Sequence, residues 1–340
     1  MRRPWYPTKP LRFYKGLFMT QCGSDLLYAQ RLLAAGDVVA IPTETVYGLA
    51  GNAYNEAAVL KIFRIKQRPS FDPLIVHAGS IQQATRFTAK WPAQALRLAQ
   101  HFWPGPLTLL LKKQPLIPDI VTAGLPTVGV RIPQHALTLA LLQQLSFPLA
   151  APSANPFGYT SPTTPQHVLD QLGGAHLPYI LEGGACPVGI ESTIIGFDNE
   201  QPVVYRLGGI ALEALEEVVG PVAMASPVGS QPQVPGTLTS HYAPSKPLRL
   251  GTWPVLQPQY APQQVGILAF DKLWPGVPPG CQVVLSPASD LDEAARNLFA
   301  ALRTLDALPV EVILTSLVPD IGMGKAINDR LRRAAAPKDA

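Results

Sequence analysis

The chain has few cysteines, little charge bias and no apolar run long enough to cross a membrane. Of its 340 residues three are cysteine, Cys22, Cys186 and Cys281, and they are widely spaced. This pattern predicts no disulfide framework and no CxxC metal site, and it favours a reducing compartment. The basic N-terminus lacks a continuous apolar segment, so we expect a cytoplasmic protein rather than a secreted one.

Several motifs that define enzyme and binding classes are missing. The six histidines show no zinc-ligand spacing, and Ser153 does not sit in a GxSxG turn, so a zinc site and a hydrolase triad are both unsupported. No GxGxxG or P-loop pattern is present. The net charge is only +4 and aromatics are 8%, without an arginine-rich or RNP-like segment, which argues against nucleic-acid binding.

The length and the 47% hydrophobic content predict two packed domains. Helical patterns alternate with short apolar strands, which is typical of an α/β fold. We predict a tail over residues 1–20, with Met19 as an alternative start, and a first domain over 21–220. A linker rich in Pro, Gly, Ser and Gln covers 221–247, and 248–340 form a smaller Rossmann-like βαβ domain.

Two short polar stretches interrupt this apolar pattern. Lys66 and Arg68 end a helix predicted over residues 55–68, which Pro69 cannot continue. Cations there could simply compensate the helix dipole. Ser153 and Asn155 follow a strand predicted over 148–151, and ordinary turn chemistry would also explain them. Strand ends in α/β sheets are where ligands usually bind, so together the stretches indicate an anion-binding cleft, most simply for a nucleotide.

Further polar groups follow or interrupt other strands. Thr43 comes directly after the buried strand 38–41, and Arg206 precedes a pair of glycines. Arg131 lies inside the strand 128–132, where it needs either an internal acidic partner or an anionic ligand. Ser192 and Thr193 lead into another strand. These groups add hydroxyls and cations to the predicted cleft.

The ordered motifs resemble those of the YrdC family, whose signature combines KxR with SxN. They are Pro42-Thr43-Glu44-Thr45-Val46-Tyr47-Gly48-Leu49, Lys66-Gln67-Arg68-Pro69, Pro73-Leu74-Ile75-Val76-His77, Trp103-Pro104-Gly105-Pro106-Leu107-Thr108, Val130-Arg131-Ile132-Pro133, Ser153-Ala154-Asn155 and Ser192-Thr193-Ile194. The ending Gly322 to Leu331 and the loop segments Pro235-Gly236 and His241-Tyr242-Ala243-Pro244 resemble the long, two-domain branch. The resemblance implies a twisted mixed sheet with a basic concave cleft.

The resemblance implies an L-threonylcarbamoyladenylate synthase, a nucleotidyltransferase. Its substrates would be L-threonine, bicarbonate and ATP with Mg²⁺, and its product would pass to a tRNA threonylcarbamoyl transferase complex for threonylcarbamoyladenosine in tRNAs that read ANN codons. The catalytic residues carried over are Lys66, Arg68, Ser153 and Asn155. Those for threonine are Thr43, His77, Arg131, Ser153 and Thr193. Those for ATP are Lys66, Arg68, Thr108, Asn155, Arg206 and Tyr242.

One departure and two rival functions remain open at this stage. Asp72 stands where the family often has an amide, and near phosphates it would be repulsive unless it faced Mg²⁺ or solvent. A non-enzymatic RNA-binding protein could use the same cleft. A carbamoyl-transfer enzyme, as in hydrogenase maturation, would need zinc-knuckle cysteines that the chain lacks. We expect the second domain to pack over the cleft, with the linker as a gate.

Overall fold

The fold is built on two β-sheets, seen in a computed structural model that describes residues 20–174, 176–225, 232–251, 255 and 259–337. The larger sheet contains β1 (Gln21–Gly23), β2 (Val39–Ile41), β3 (Gly48–Asn52), β4 (Ile75–His77), β5 (Leu107–Lys112), β6 (Thr127–Arg131), β7 (Leu149–Ala150), β8 (Tyr179–Leu181), β9 (Thr193–Asp198), β10 (Gln201–Arg206) and β11 (Ala223–Met224). Its strand order is β1-β8-β2-β3-β7-β4-β6-β5-β9-β10-β11. The sheet contains both parallel and antiparallel pairs, for example β4 with β6 and β4 with β7, so the predicted mixed sheet is confirmed.

Helices cover this sheet and bury its apolar side chains. They are α1 (Leu26–Ala34), α2 (Glu56–Lys66), α3 (Ile81–Ala84), α4 (Ala93–Phe102), α5 (Asp119–Thr122), α6 (Ala136–Gln144), α7 (Pro165–Leu172) and α8 (Leu212–Val219). Local signals place their starts. The Asn55 side chain caps α2, and Thr164 caps α7 with Pro165 at its first position, both as the sequence predicts.

Helix α2 ends two residues earlier than predicted. It stops at Lys66, and Gln67 adopts a left-handed conformation with φ 52°. The Gln67 N–H bonds to the carbonyls of the last helical turn, a common way to end a helix. Pro69 also disfavours helical dihedrals at the residue before it. The expectation that Arg68 lies in the helix is therefore wrong, and Arg68 instead belongs to the loop that enters the site.

The second sheet is parallel throughout and lies in the C-terminal part of the chain. It contains β12 (Leu248–Leu250), β13 (Val265–Ala269), β14 (Gln282–Val284) and β15 (Val312–Thr315), in the order β12-β15-β13-β14. Helices α9 (Leu291–Ala307) and α10 (Met323–Ala335) pack on it. This agrees with the Rossmann-like expectation, although the sequence prediction contained neither β14 nor β3.

Part of the predicted linker folds back against the larger sheet. Val234 and Tyr242 are 2% and 1% exposed, so this segment is packed rather than solvated. The predicted tail before residue 20 and the alternative start at Met19 fall outside the described residues, as do linker residues 226–231. Within the described ranges, no helix has the length and apolarity that crossing a bilayer requires.

Candidate active site

A small cavity lies where the ends of several strands meet the folded linker. Its free volume is about 50 Å³. The ends of β4, β6 and β10 deliver side chains to it, the loop after β7 forms one wall, and the linker forms another. The predicted site residues that line it are Thr43, Arg68, His77, Arg131, Ser153, Arg206 and Tyr242. The sequence argument that strand ends converge on one site thus agrees with the geometry.

The Arg68 guanidinium is fixed by its own loop. Its Nη2 lies 2.9 Å from Asp72 Oδ2 and 2.8 Å from the Pro73 carbonyl oxygen, and its Nε donates to the Asp72 carbonyl oxygen at 3.1 Å. Asp72 is fully buried, so its carboxylate does not face solvent. Burial raises the pKa of Asp72 and lowers the pKa of Arg68. The unusual carboxylate therefore serves as the partner of Arg68.

Lys66 lies behind the cavity wall. Its Nζ donates to the backbone carbonyls of Ser153 and Asn155, each at 2.5 Å, and its side chain is buried. Burial, together with the charge of Arg68, lowers the pKa of Lys66 well below its ordinary value. Asn155 Nδ2 in turn donates to the carbonyls of Pro156 and Tyr159. These two residues shape the loop that presents Ser153 to the cavity.

Four of the five expected threonine-binding residues line the cavity: Thr43, His77, Arg131 and Ser153. Arg131 Nη2 lies 2.8 Å from Glu44 Oε2, so the internal salt bridge that the sequence left open is present, while Arg131 still lines the cavity. Burial, then the charge of Arg131, lowers the pKa of His77 to about 3, so its imidazole is neutral at pH 7. Thr43 Oγ1 donates to the Val46 carbonyl oxygen at 2.6 Å and orders the turn after β2.

Thr108 and Thr193 lie near the site without lining the cavity. Thr108 Oγ1 is 2.8 Å from Ser192 Oγ, and Thr193 Oγ1 donates to the Ile210 carbonyl oxygen at 2.9 Å. Ser192, one residue before β9, is the hydroxyl that faces the cavity. Since adjacent residues of an extended chain point to opposite sides, Ser192 and Thr193 cannot both face it.

Arg206 connects the strands to the linker. Its Nε and Nη2 donate to the Ser192 carbonyl oxygen at 3.1 and 2.9 Å, and its Nη1 donates to the Pro235 carbonyl oxygen at 3.0 Å. Next to it, Gly236 has φ 79°, and a Cβ there would stand 2.2 Å from Tyr242 Oη. Only glycine fits this position, because both the backbone conformation and the space exclude a side chain.

Sequence reasoning missed some of the lining residues. Thr45, Glu191, Ser192 and His241 were not assigned to either substrate, although all four line the cavity and stand within or beside quoted motifs. Tyr242 was included, and its ring stacks on Phe299 of α9 with centroids 5.7 Å apart. In the described part of the chain, no group of three or more His, Cys, Asp or Glu side chains could hold a metal ion.

The site combines an α/β fold with a cavity lined by fixed arginines and hydroxyls, an arrangement typical of enzymes that act on anionic substrates. Residues 31–208 match the family model Sua5_yciO_yrdC, described as telomere recombination. Residues 210–336 match the model described as threonylcarbamoyl-AMP synthase, C-terminal domain. The chain belongs to this two-domain threonylcarbamoyl-AMP synthase family of nucleotidyltransferase-type enzymes.

Individual relatives cover nearly the whole chain. The threonylcarbamoyl-AMP synthase of Bacillus subtilis is 40% identical over 322 residues, covering 92% of this chain and 93% of the relative. That of Pyrococcus abyssi is 37% identical, covering 90% and 93%. The crystal structure of P. abyssi Sua5 complexed with L-threonine superposes with a TM-score of 0.84 at 35% identity, covering 94% of this chain and 98% of that one. The resemblance to the two-domain branch is thereby confirmed.

Proposed function

We propose that the protein makes threonylcarbamoyl-AMP from L-threonine, bicarbonate and ATP, with release of pyrophosphate, in the cytoplasm. The product would pass to a tRNA threonylcarbamoyl transferase complex for threonylcarbamoyladenosine in ANN-decoding tRNAs. The observation that carries the proposal is the convergence of Arg68, Arg131 and Arg206 with the hydroxyl of Ser153 on one cavity. The threonine bound to the P. abyssi relative supports the amino-acid substrate.

The chemistry needs placement and charge rather than a protein nucleophile. The threonine amine adds to carbon dioxide derived from bicarbonate and gives a carbamate with loss of a proton. A carbamate oxygen then bonds to the α-phosphorus of ATP, and the bond to pyrophosphate breaks. Fixed guanidinium groups stabilise the charge that this transfer shifts onto phosphate oxygens. Arg68 and Arg206 are the groups we assign to the phosphates, and Thr43, His77 and Arg131 to threonine.

We assign Mg²⁺ to the phosphates of ATP rather than to side chains. Three buried carboxylates near the site are already engaged: Asp72 with Arg68, Glu44 with Arg131 and Glu191 with Arg330. The triphosphate oxygens would therefore carry the ion and bring it with the nucleotide. Its contribution, when bound, is to neutralise charge on the leaving pyrophosphate.

With the linker in place, the cavity is narrow for a nucleotide. The free volume is about 50 Å³, whereas pockets for ligands of drug size hold about 300–1,000 Å³. Pro235, Gly236, His241 and Tyr242 of the linker supply one side of the cavity. We therefore propose that the linker opens to admit ATP and closes over the bound substrates, in agreement with the expected gate.

The decisive experiment is mass spectrometry of a reaction that contains the protein, ATP, Mg²⁺, L-threonine and bicarbonate. The adenylate should form together with pyrophosphate, and omission of threonine should stop both. Arg68→Ala should lower pyrophosphate release at least a hundredfold, since a lost transition-state charge contact costs roughly that much. Arg64→Ala is the matched control, because Arg64 is an exposed arginine in the last turn of α2, just before the loop that carries Arg68. Normal turnover by a folded Arg68→Ala protein would overturn the phosphate assignment.

A further inference from the structure

Helix α10 packs on the second sheet and places three cationic side chains against the first domain and the linker. Lys325 Nζ lies 2.6 Å from Glu213 Oε1 of α8. Arg330 Nε lies 3.1 Å from Glu191 Oε2 at the cavity wall. Arg333 Nη1 donates to two linker carbonyls at 2.7 and 2.6 Å. The helix therefore contacts both the first domain and the segment that covers the site.

Arg330 is the central and most buried of these cations. Its side chain is 1% exposed. It pairs with Glu191 on one side, and its Nη1 lies 2.8 Å from Asp329 Oδ2 on another. Its guanidinium carbon stands 5.0 Å from the ring centroid of Tyr242, within the range of a cation–π interaction. Glu191 also accepts a hydrogen bond from Ser161 Oγ at 2.6 Å, so its carboxylate is held from both domains.

The position of Arg330 is itself fixed. Asn328, two residues earlier and 1% exposed, accepts from the Val318 N–H at 2.9 Å and donates to the Val318 carbonyl oxygen at 3.0 Å. These paired bonds tie α10 to the loop before it, so the helix cannot shift along its axis without breaking them. Burying a guanidinium costs desolvation free energy, and buried ion pairs are often no more stabilising than apolar side chains of similar volume. The burial of Arg330 therefore indicates a role other than stability.

We propose that Arg330 is a positioning residue of the active site supplied by the second domain. It acts through Glu191 and Tyr242, both of which line the cavity. By contacting both side chains, Arg330 fixes the part of the cavity wall that they form. Arg330 itself does not line the cavity in this arrangement. The inference rests on the proposed function, because it describes how the same site is kept in order. It also gives α10 a defined part in that site.

The test compares steady-state constants for Arg330→Gln, Arg330→Lys and the control Arg332→Gln, whose side chain is exposed on the same helix. Wild-type turnover is measured first, and its absence would defeat the proposed function rather than this inference. With active wild type, Arg330→Gln should raise the KM for ATP and threonine more than it lowers kcat. We expect kcat/KM to fall at least about tenfold, because residues in direct contact are typically coupled by a free energy of about that size.

Arg330→Lys keeps the positive charge, but an ammonium group lacks the planar surface that lets a guanidinium pair with Glu191 and stack on Tyr242 at the same time. It should therefore recover only part of the kcat/KM that Arg330→Gln loses. A purely structural role would instead lower the melting temperature and leave the KM of the folded enzyme unchanged. If Arg330→Gln does not fold, Arg330→Lys decides the question. Wild-type KM values in Arg330→Lys, or an equal effect of Arg332→Gln, would overturn the inference.

Discussion

Val234 anchors the linker to the larger sheet through apolar contacts, and its truncation should favour opening of the site. Its side chain is 2% exposed and packs in an apolar niche against Ile75 and Ile194, with Leu110 and Tyr205 around them. The niche is nearly filled, since only about 10 Å³ of free space remains beside it. We therefore choose Val234→Ala, which removes two methyl groups and leaves the backbone unchanged.

The expected magnitude follows from the apolar surface that is lost. Each buried methyl or methylene is worth about 0.8 kcal/mol, so two groups give about 1.6 kcal/mol. Since about 1.4 kcal/mol is a factor of ten, the equilibrium between open and closed linker should shift about fifteenfold toward the open form. A small residual cavity would add to this figure.

Hydrogen exchange measures this equilibrium directly. The Ala243 N–H donates to the Gly158 carbonyl oxygen at 3.0 Å, and it is protected only while the linker is docked. Peptides that span residues 232–243 should exchange about fifteenfold faster in Val234→Ala, while peptides from β13 should keep their rates. Thr239→Ala is the control, because Thr239 is exposed in the same segment.

Two outcomes would refute this reasoning. Unchanged exchange over 232–243 would show that Val234 does not determine linker docking. An equal acceleration across β4 and β13 would show that the linker does not open separately from the rest of the fold. If docking does follow Val234, the KM for ATP or threonine should also rise, because closure over the substrates becomes less favourable.

Two further predictions concern charged groups at the site. Asp72→Asn removes a carboxylate 2.9 Å from Arg68. Calorimetry should then show ATP bound more tightly by about 2–4 kcal/mol, the repulsion expected between unit charges about 4–8 Å apart at an effective dielectric constant near 20. Weaker binding would contradict this prediction. Because the pKa of His77 is lowered to about 3, the unfolded chain alone binds a proton between pH 6.5 and 3. The free energy of unfolding should then fall as pH falls, by about 1.4 kcal/mol per pH unit. Urea titrations of His77→Gln should show a flatter dependence on pH. Equal slopes in the two proteins would show that burial of neutral His77 does not cause the dependence.

Local signals explain the parts of the fold that could be predicted. The caps at Asn55 and Thr164 fix helix starts because their side chains bond to N–H groups two or three residues away. Short apolar strands could be recognised without knowing their partners. Strand β3 could not, because Gly48–Asn52 consists mostly of small residues whose extended form depends on pairing with β2 and β7.

In the site, too, features that follow from general topology could be predicted, whereas contacts between residues far apart in the chain could not. That strand ends converge follows from α/β topology, so the clustering of His77, Arg131 and Arg206, each at the end of a strand, was predictable. The pairing of Arg131 with Glu44 and of Arg330 with Glu191 was not, since the partners are 87 and 139 residues apart in the chain. Only the tertiary fold determines which carboxylate a buried arginine meets.

Arg206 differs from the other arginines at the cavity in having no carboxylate partner among the described residues. Arg68 and Arg131 each have a carboxylate partner, which an incoming anion would have to compete with. Arg206 instead donates to carbonyl and hydroxyl oxygens, and its Nη1 holds the linker through the Pro235 carbonyl at 3.0 Å. When the linker moves away, that N–H loses its acceptor, and a phosphate oxygen can take its place with the added strength of a charge-assisted bond. If the linker opens as proposed, the same movement would therefore free Arg206 Nη1 for a phosphate oxygen.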